Sequence, residues 1–446
     1  MRRAAAAGAA RAVAVAGWLG RGLATAKPKA RLGGGKVGNP SAKAMAAAAA
    51  AAANSGHRVD EYDGLSRMGD LIDEDVINSH LAQGSGTLAG DLQTIGDVFR
   101  FAVTEFSRPE ARLSFGQGSV DAEEEAHLLL LLHLNLPLSS TASFFSKWSS
   151  SRLTAGEVQA LRSLIAKRVS DKIPVAYLCR ACFQQGERFF VDERALIPRS
   201  HLAELLSHQS SHFLFRPAAA AKRSKKAQSA AAAALSQSLT LPAVRSVLDL
   251  CTGSGVLAIL AYRMLARGDR QATSDYLQLL PQQQQLQRAI RVDAVDISAA
   301  ALQVAERNVR DKKLQDHISL FCGDLFDALP AAGPGGDQGR YDLIVSNPPY
   351  VEQRAMDALP AEYRREPALA LAGGGDGLDV VRRIIAGSAE RLSAHGRLVL
   401  ECGASGRHLG AAVSAAGGRW VKTSNSEGEV LLLSRDECEA VAARLT

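Results

Sequence analysis

The sequence predicts an α/β fold: a sheet with helices on both faces, preceded by a small helical domain and a β-hairpin-like connector. Three observations support this prediction. One apolar run leads into Gly253 and Gly255, and the next ends in Asp296, as strands of nucleotide-binding sheets do. A third apolar run, residues 341–346, ends in a proline-rich turn. Upstream of these runs, apolar residues recur three or four positions apart, which is the periodicity of helices.

The first 86 residues are predicted to precede the folded domains. Residues 1–26 are rich in Ala and Arg and lack acidic residues, and Arg11 and Arg21 interrupt the apolar stretch. This pattern predicts an organellar transit peptide rather than a secretory signal. The scarcity of hydroxyl residues favours the mitochondrion over the plastid. Residues 27–86 include a polyalanine tract and predict a low-complexity or disordered spacer.

The basic character of the chain belongs largely to this leader. The 446 residues carry a formal charge of +6, but ten of the 52 basic residues and none of the 46 acidic ones precede Asp60. The remainder therefore has 42 basic and 46 acidic residues, a formal charge of −4. This balance disfavours DNA as a partner. Apart from the alanine tracts, no uncharged apolar run has the length of a membrane span, so no membrane partner is expected.

Residues 87–170 predict a small helical domain. Apolar residues three or four apart predict a first helix over 92–103, and a strongly apolar stretch predicts a second over 123–134. A third is predicted over 153–169, where Thr154 has the spacing of a capping box. The domain is either a substrate-recognition lid or a module that only adds stability.

Residues 171–200 predict an extended connector or hairpin, with alternation around Phe190. Arg199, at its end, either borders a site at the edge of the sheet or is an ordinary surface residue. Cys179 and Cys182 form a C-x-x-C without a second ligand pair at zinc spacing, which predicts free thiols and no metal or redox site.

A glycine-rich turn follows the first predicted strand, and it consists of Cys251, Thr252, Gly253, Ser254 and Gly255. The two glycines allow a ligand to approach the backbone closely while a helix begins beneath it. With Ala258 the stretch also satisfies a loose dinucleotide pattern, so the turn alone leaves a nicotinamide cofactor open. Asp296 is placed to bind ribose hydroxyls, which nicotinamide cofactors and S-adenosylmethionine both possess.

Residues 201–446 are predicted to form the catalytic domain, interrupted near 216–240 and 269–288. The second insertion explains why Gly255 and Asp296 lie 41 positions apart, because a glycine turn and its ribose acid are usually about 20 apart. The basic cluster Lys222–Lys226 could contact ribosomal RNA, although a solvated loop is favoured. The helically spaced pair His208 and His212 lacks a third ligand, so no metal is expected there.

The turn Asn347-Pro348-Pro349-Tyr350 separates the possible chemistries. An amide nitrogen or an exocyclic amine is a poor nucleophile because its lone pair is delocalised. The Asn347 oxygen and the Pro348 carbonyl could accept both hydrogens of such a nitrogen, the two prolines would stiffen the turn, and Tyr350 could supply an aromatic wall. These features favour methyl transfer over hydride transfer. A rigid strand-ending turn without a chemical role is the alternative.

From about Leu92 onward, the sequence resembles the class I S-adenosylmethionine-dependent methyltransferases that act on glutamine side chains. The motifs that carry the resemblance are Asp249–Gly255, Val295–Ser298, Gly323–Phe326 and Asn347–Tyr350. Three further stretches are similar to the branch that methylates large-subunit ribosomal protein three: Pro174–Leu178, Phe190–Ser200 and Leu359–Pro367. The sister branch, which methylates peptide release factors, usually carries Pro-Glu where this chain has Ser200-His201.

The resemblance implies a Rossmann-like methyltransferase sheet, S-adenosylmethionine as cofactor and a role for each motif. Asp249 would act on the cofactor's ammonium group, and the glycine turn would admit its methionine portion. Asp296 would bind the ribose, Asp324 would meet the adenine amine and Leu325 would pack on the ring. The tetrad that begins at Asn347 would orient the glutamine nitrogen beside the cofactor.

The partner implied is ribosomal protein three of an organellar ribosome. A release factor is the first alternative. A nucleic-acid adenine N(6)-methyltransferase is a weaker one, because it would need a basic groove. A catalytically silent ribosome-assembly factor is a further alternative from a different functional class.

Overall fold

The computed structural model describes residues 92–138, 141–206, 244–271, 290–330, 339–423 and 426–445. Several predictions concern parts of the chain outside these ranges: the transit peptide, the spacer, the insertion near 216–240 with Lys222–Lys226, the pair His208 and His212, and nearly all of the insertion near 269–288.

The segment before the sheet contains helices and one hairpin. Its elements are α1 (Ile95–Ser107), α2 (Ala122–His133), α3 (Thr141–Trp148), α4 (Ala155–Asp171), the single turn α5 (Val175–Leu178), β1 (Cys182–Gln184) and β2 (Glu187–Phe189). A short 3-10 helix, Pro109–Ala111, follows α1.

The helices form around their own apolar core. The predicted capping box is present at the start of α4, where Thr154 and Glu157 cap each other's backbone N–H groups. Helix α2 is buried on nearly every side by its neighbours, which explains its unbroken run of leucines, Leu128–Leu132. Helix α3 was not expected from the sequence. Its serine-rich sequence resembles a loop, but Phe144 and Phe145 pack on Phe99, with ring centroids 6.5 and 4.9 Å away.

The connector contains the predicted hairpin. Gln185 and Gly186 both have positive φ, 48° and 75°, as the tight turn between β1 and β2 requires. The alternation that predicted an extended chain continues past the hairpin. Phe189 and Val191 belong to the core beneath the sheet, whereas Phe190 packs against Ala301 and Val304.

The remaining elements alternate between strand and helix. They are α6 (Leu202–Leu205), β3 (Ser246–Leu250), α7 (Val256–Gln271), β4 (Arg291–Asp296), α8 (Ala299–Asp311), β5 (Ile318–Cys322), β6 (Tyr341–Ser346), α9 (Gln353–Met356), α10 (Asp379–Arg391), β7 (Leu392–Glu401), α11 (Gly410–Ala416), β8 (Arg419–Thr423), β9 (Ser426–Ser434) and α12 (Arg435–Leu445). Short 3-10 helices are also present at Leu325–Ala328, Tyr363–Arg365, Ala368–Ala370 and Gly403–Leu409.

The large sheet has the strand order β5-β4-β3-β6-β7-β9-β8. Neighbouring strands from β5 through β7 are parallel, while β9 runs antiparallel to both β7 and β8. The strand order reverses between β3 and β6, where Leu250 lies opposite Ser346 and the Ser346 hydroxyl donates to the Leu250 carbonyl at 2.8 Å. Ligands of open α/β sheets bind outside the carboxyl ends of the strands at such a reversal.

Side chains alternate between the two faces of this sheet. Val247 and Leu343 pack with α7 on one face, and Leu248 and Ile344 pack with α10 and α12 on the other. The α/β class with helices on both faces is therefore confirmed. No helix within the described ranges is both long enough and apolar enough to cross a bilayer.

A buried ion network joins the helical segment to the sheet domain. Arg168 of α4 is fully buried and contacts Glu125 of α2 at 2.9 Å and Glu362 of the sheet domain at 3.0 Å. Glu362 also accepts from the Ser114 backbone N–H at 2.9 Å, which fixes the loop that follows α1. Burial raises the pKa of Glu125, although the Arg168 charge opposes that shift.

Candidate active site

The glycine turn after β3 leaves space above its backbone. Cys251, Gly253 and Gly255 all have positive φ, at 57°, 55° and 80°. A Cβ atom on Gly253 would meet no atom within 4 Å, whereas one on Gly255 would lie 3.1 Å from Ala305 of α8. Gly253 therefore borders open space at the end of β3, and Gly255 permits the close approach of α8.

Asp249 lies beneath this turn with one carboxylate oxygen unused. Its Oδ2 accepts from the Thr252 hydroxyl at 2.6 Å and from the Ala258 backbone N–H at 2.9 Å. Its Oδ1 is buried and has no hydrogen-bond partner among the described residues. Burial raises the pKa of Asp249 to about 7. The free oxygen fits a cationic donor such as the ammonium group of S-adenosylmethionine.

Asp296 lies at the end of β4, beside the glycine turn. Its Oδ2 accepts from the Gly253 N–H at 2.8 Å and its Oδ1 from the Ser298 N–H at 2.9 Å. Burial raises its pKa. Each carboxylate oxygen has two lone pairs, so both retain capacity for ribose hydroxyls. The next residue, Ile297, is 55% exposed and was not predicted as a site residue, although an apolar side chain there could pack on a flat ring.

Asp324 and Leu325 follow β5. Asp324 is half-exposed and forms an ion pair with Arg383 of α10 at 2.8 Å. Leu325 is buried with a φ of 49°, a left-handed conformation that is uncommon for a leucine and marks local backbone strain. Together with Asp249, near the end of β3, and Asp296, at the end of β4, these residues lie at the carboxyl ends of three neighbouring strands.

Two cavities meet at Asn347. The smaller, of about 50 Å³, is lined by Cys251, Thr252, Gly253 and Ser254, and we call it the glycine-turn cavity. The larger, of about 120 Å³, is lined by Pro348, Tyr350, Glu401 and their neighbours, and we call it the tyrosine cavity. Asn347 lines both. Its side-chain oxygen is buried and lacks a hydrogen-bond partner within the described part of the chain.

Asp296, Asp324 and Leu325 line neither of these two cavities. Asp249, Gly255 and Pro349 also line neither cavity, so the predicted residues that do are Cys251, Thr252, Gly253, Ser254, Asn347, Pro348 and Tyr350.

Glycine backbone surrounds Tyr350. Cβ atoms at Gly373, Gly377 and Gly403 would lie 2.7 Å from the Tyr350 Cα, 2.4 Å from its carbonyl oxygen and 2.6 Å from its ring. The Ser405 hydroxyl donates to the same carbonyl at 2.8 Å. These contacts fix the tetrad. The glycine-rich stretch Gly373-Gly374-Gly375-Asp376-Gly377 is a sequence signal that could have identified this packing.

Glu401, at the end of β7, was also missed. Its Oε1 accepts from the Tyr350 hydroxyl at 2.9 Å, and its Oε2 accepts from the Ser200 hydroxyl at 2.6 Å and the His201 N–H at 3.0 Å. Burial and the Glu401 charge raise the pKa of Tyr350 well above its ordinary value. An acid that ends the apolar run from Leu398 resembles Asp296 at the end of β4, and that similarity could have identified Glu401.

Arg199 lines both cavities, which corresponds to the first of its two predicted placements. Its guanidinium contacts Glu366 at 2.7 Å and lies 5.4 Å from the ring centroid of Tyr363. Gly116, from the loop after α1, also lines the tyrosine cavity, and a Cβ atom there would lie 2.5 Å from the Tyr363 hydroxyl. The helical segment thus contributes to the cavity wall.

Comparison with known proteins identifies the family. A model of the methyltransferase small domain matches residues 279–377. A protein of Bordetella pertussis is 40% identical over 347 residues, 78% of this chain and 97% of its own length. Relatives from Burkholderia pseudomallei and Bradyrhizobium diazoefficiens are 38% and 40% identical over 78% and 77% of this chain and 97% and 92% of their own lengths. All three are named ribosomal protein uL3 glutamine methyltransferase.

The chain belongs to the ribosomal protein uL3 glutamine methyltransferase family. Membership confirms the predicted family, the methyltransferase class and S-adenosylmethionine as the methyl donor. The orphaned Asp249 oxygen and the open space at Gly253 are compatible with that donor.

Neither cysteine of the C-x-x-C lines either cavity. Cys179 and Cys182 are free thiols, and burial raises the pKa of each to about 12, so both are unreactive. Within the described ranges, no group of three or more His, Cys, Asp or Glu residues could hold a metal ion.

Proposed function

We propose that this protein methylates the side-chain amide nitrogen of a glutamine in large-subunit ribosomal protein uL3 of an organellar ribosome. One observation carries the chemical part: the buried Asn347 oxygen without a partner, at the meeting point of two cavities. The names of the relatives support uL3 as the substrate.

The tyrosine cavity would receive the glutamine side chain. Leaving a buried acceptor unpaired costs about 1–3 kcal/mol, and an amide N–H donated to Asn347 would remove that cost. The Pro348 carbonyl would accept the second hydrogen. When both hydrogens are held, the nitrogen lone pair can be directed out of conjugation, and Tyr350 limits where the carboxamide lies.

The glycine-turn cavity and the adjacent strand ends would hold S-adenosylmethionine. Its sulfonium, when bound, supplies the methyl group. The Asp249 Oδ1 would bind the ammonium group, Gly253 would admit the methionine backbone, and Asp296 would bind the ribose hydroxyls. Asp324 and Leu325 would border the adenine. Holding donor and acceptor in register can contribute about 7–11 kcal/mol to lowering a reaction barrier.

The chemistry needs no strong general base. A methylated amide nitrogen that still holds both hydrogens is positively charged and therefore acidic. It can release one proton to water or to the carbonyl oxygen that already accepts it. The buried carboxylates beside the tetrad are then free for structural roles.

The organellar part of the proposal depends on composition. Residues 1–26 lack acids and contain several arginines, the pattern of a transit peptide, and the mitochondrion is favoured over the plastid. Residues 1–60 fused to a fluorescent reporter should deliver it to mitochondria and be cleaved there. Reporter that stays in the cytosol would contradict the organellar proposal.

The substrate is tested by mass spectrometry of organellar ribosomal proteins and release factors, with and without this enzyme. We expect a uL3 glutamine peptide to lose the mass of one CH₂ group when the enzyme is absent, and Asn347→Ala not to restore it. A loss confined to a release factor would identify that alternative substrate. Methyl transfer from labelled donor to DNA or RNA instead would identify a nucleic-acid adenine methyltransferase.

A further inference from the structure

We propose that Glu401 is a positioning residue that fixes the wall of the tyrosine cavity against Asn347. This inference rests on the proposed function, because it concerns how the acceptor glutamine is held. Glu401 would act through Tyr350 and through the end of the connector, without taking part in methyl or proton transfer.

The position of Glu401 in the sheet suits this role. It is the last residue of β7, and the preceding residue, Leu400, lies opposite Ser346 at the end of β6. Glu401 and Asn347 therefore leave the same edge of the sheet from neighbouring strands. Both residues line the tyrosine cavity.

The two carboxylate oxygens of Glu401 serve two different segments. Oε1 accepts from Tyr350 of the tetrad, 51 positions away in sequence. Oε2 accepts from Ser200 and from the backbone of His201, which are 201 and 200 positions away. Those residues follow Arg199, which lines both cavities. One side chain thus holds the tetrad and the connector together around the acceptor.

The charge of Glu401 makes these bonds strong. The residue is 2% exposed, and within the described part of the chain its carboxylate is stabilised by the hydrogen bonds from Tyr350, Ser200 and His201. Hydrogen bonds to a carboxylate are about twice as strong as those between neutral groups. The Tyr350 ring cannot turn freely, because Gly403 backbone lies against one side and Glu401 holds its hydroxyl.

The decisive variant is Glu401→Gln. Glutamine keeps one acceptor oxygen for Tyr350 but presents an NH₂ group to the His201 N–H, so one buried donor loses its partner. We expect kcat for a uL3 glutamine peptide to fall about 10- to 100-fold, the scale of a small misplacement of reacting groups. The Kd for S-adenosylmethionine, measured by calorimetry, should change much less than kcat, since Glu401 bonds no residue of the glycine turn and reaches the glycine-turn cavity only through Ser200.

Two smaller variants separate positioning from direct chemistry. Tyr350→Phe and Ser200→Ala each remove one hydrogen bond to Glu401 and leave its carboxylate in place. Each should lower kcat by less than Glu401→Gln, and Tyr350→Phe combined with Glu401→Gln should lose less than the product of the single effects.

Asp342→Asn is the matched control. Asp342 lies at the opposite end of β6 and accepts hydrogen bonds from Arg245, Ser246 and Ser393 at 2.9–3.2 Å. It resembles Glu401 in joining several segments through one carboxylate, but it is remote from both cavities. This variant should lower the free energy of unfolding and leave kcat unchanged at temperatures where the protein is folded.

The outcomes distinguish the two proposals. Wild-type enzyme that leaves every uL3 glutamine unmethylated would refute the proposed function, and this inference with it. Wild-type kcat in Glu401→Gln would overturn the inference alone. So would full activity in both Tyr350→Phe and Ser200→Ala beside an inactive Glu401→Gln, because Glu401 would then act on the substrate directly. If Glu401→Gln fails to fold, the two smaller variants decide: lowered kcat supports positioning, and unchanged kcat refutes it.

Discussion

The two cavities that meet at Asn347 are built in different ways. The glycine-turn cavity has one wall of consecutive residues, Cys251 to Ser254, with left-handed φ at Cys251 and Gly253, and an opposite wall from the connector, including Pro198 and Ser200. The tyrosine cavity is formed by segments distant in sequence: the loop at Gly116, the connector at Arg199, the tetrad, the stretch around Tyr363 and the end of β7.

The glycine turn thus depends mainly on local sequence, and the tyrosine cavity depends on tertiary packing. The local backbone shape of the glycine turn follows from a short sequence, whereas the tyrosine cavity exists only when the helical segment and sheet domain are packed together. Substitutions at the first cavity should therefore change donor affinity. Substitutions at the second should change turnover or stability while donor affinity is retained.

Asn347→Ala tests the point where the cavities meet, and we expect the largest effect from it. Removing the acceptor of an amide hydrogen should lower kcat at least about 10²- to 10³-fold, the range seen when one group that stabilises a transition state is lost. The Kd for S-adenosylmethionine should change by less than about threefold.

Radiolabelled methyl transfer to a uL3 peptide measures the first quantity, and calorimetry measures the second. Asn308→Ala is an instructive comparison, because Asn308 is a buried asparagine that bonds Phe190 and the Ser254 carbonyl of the glycine turn rather than the tetrad. The Asn308→Ala variant should have a lower free energy of unfolding and a smaller loss of kcat than Asn347→Ala. Appreciable turnover in Asn347→Ala would contradict the role of the tetrad.

Arg168→Ala tests whether the tyrosine cavity depends on the domain junction. The substitution would leave Glu125 and Glu362 buried beside each other without their cation. Breaking a buried ion pair in this way usually costs about 3–5 kcal/mol, which chemical denaturation can measure. The loop at Gly116 would also lose its anchor, so kcat should fall while the donor still binds.

Arg108→Ala provides the control for that experiment, because the Arg108–Glu105 pair lies on the surface of α1, with the Arg108 side chain 55% exposed. Its loss should cost less than about 1 kcal/mol. Equal losses of unfolding free energy in the two variants would show that burial does not make the Arg168 network more stabilising than a surface ion pair.

The same contrast explains what could be predicted from the sequence. The fold class, the hairpin and the glycine turn follow from short patterns whose physics is local, such as the capping box at Thr154 and the strand that ends at Leu250. Helix α3 was missed because its serines are typical of a loop, and the helix is stabilised by tertiary contacts of Phe144 and Phe145 with Phe99. Glu401 was missed because its importance depends on the distant residues Tyr350 and Ser200.

The prediction for Asp249 illustrates a limit of a different kind. The acid at the end of the first strand could be identified from the sequence, and so could its closeness to the turn. The different roles of its two carboxylate oxygens could not be identified from the sequence. They depend on Thr252 and Ala258 both bonding Oδ2, which leaves Oδ1 buried and without a partner among the described residues.

Gly253→Ala and Gly403→Ala form a matched pair across the two cavities. Both glycines have φ near 50°, so alanine at either should cost about 1–2 kcal/mol of stability. At Gly253 the new methyl group would enter the glycine-turn cavity, and the Kd for S-adenosylmethionine should rise about tenfold, by the roughly 1.4 kcal/mol that one such misfit costs.

At Gly403 the methyl group would lie 2.6 Å from the Tyr350 ring and displace it. Here kcat should fall about tenfold, with donor affinity near the wild-type value. Calorimetry and steady-state kinetics on both proteins check the pair. The same response from both variants would remove the distinction between a donor side and an acceptor side.

Asp249→Asn should give the most pH-dependent effect. Burial raises the pKa of Asp249 from 3.8 to about 7 in the folded protein. The stability it contributes is therefore complete below about pH 4 and is lost as the pH rises towards 7, by at most about 4 kcal/mol at 1.36 kcal/mol per pKa unit. Asparagine does not titrate, so the free energy of unfolding of the variant, relative to wild type, should rise between pH 4 and pH 8.

Binding of the donor's ammonium group near the Asp249 Oδ1 would favour the ionised carboxylate and release a proton. Calorimetry near pH 6, in buffers with different ionisation enthalpies, should detect that proton for the wild type and not for Asp249→Asn. Donor binding without proton release in the wild type would restrict Asp249 to holding the Thr252 hydroxyl and the Ala258 N–H, and the ammonium would need another partner.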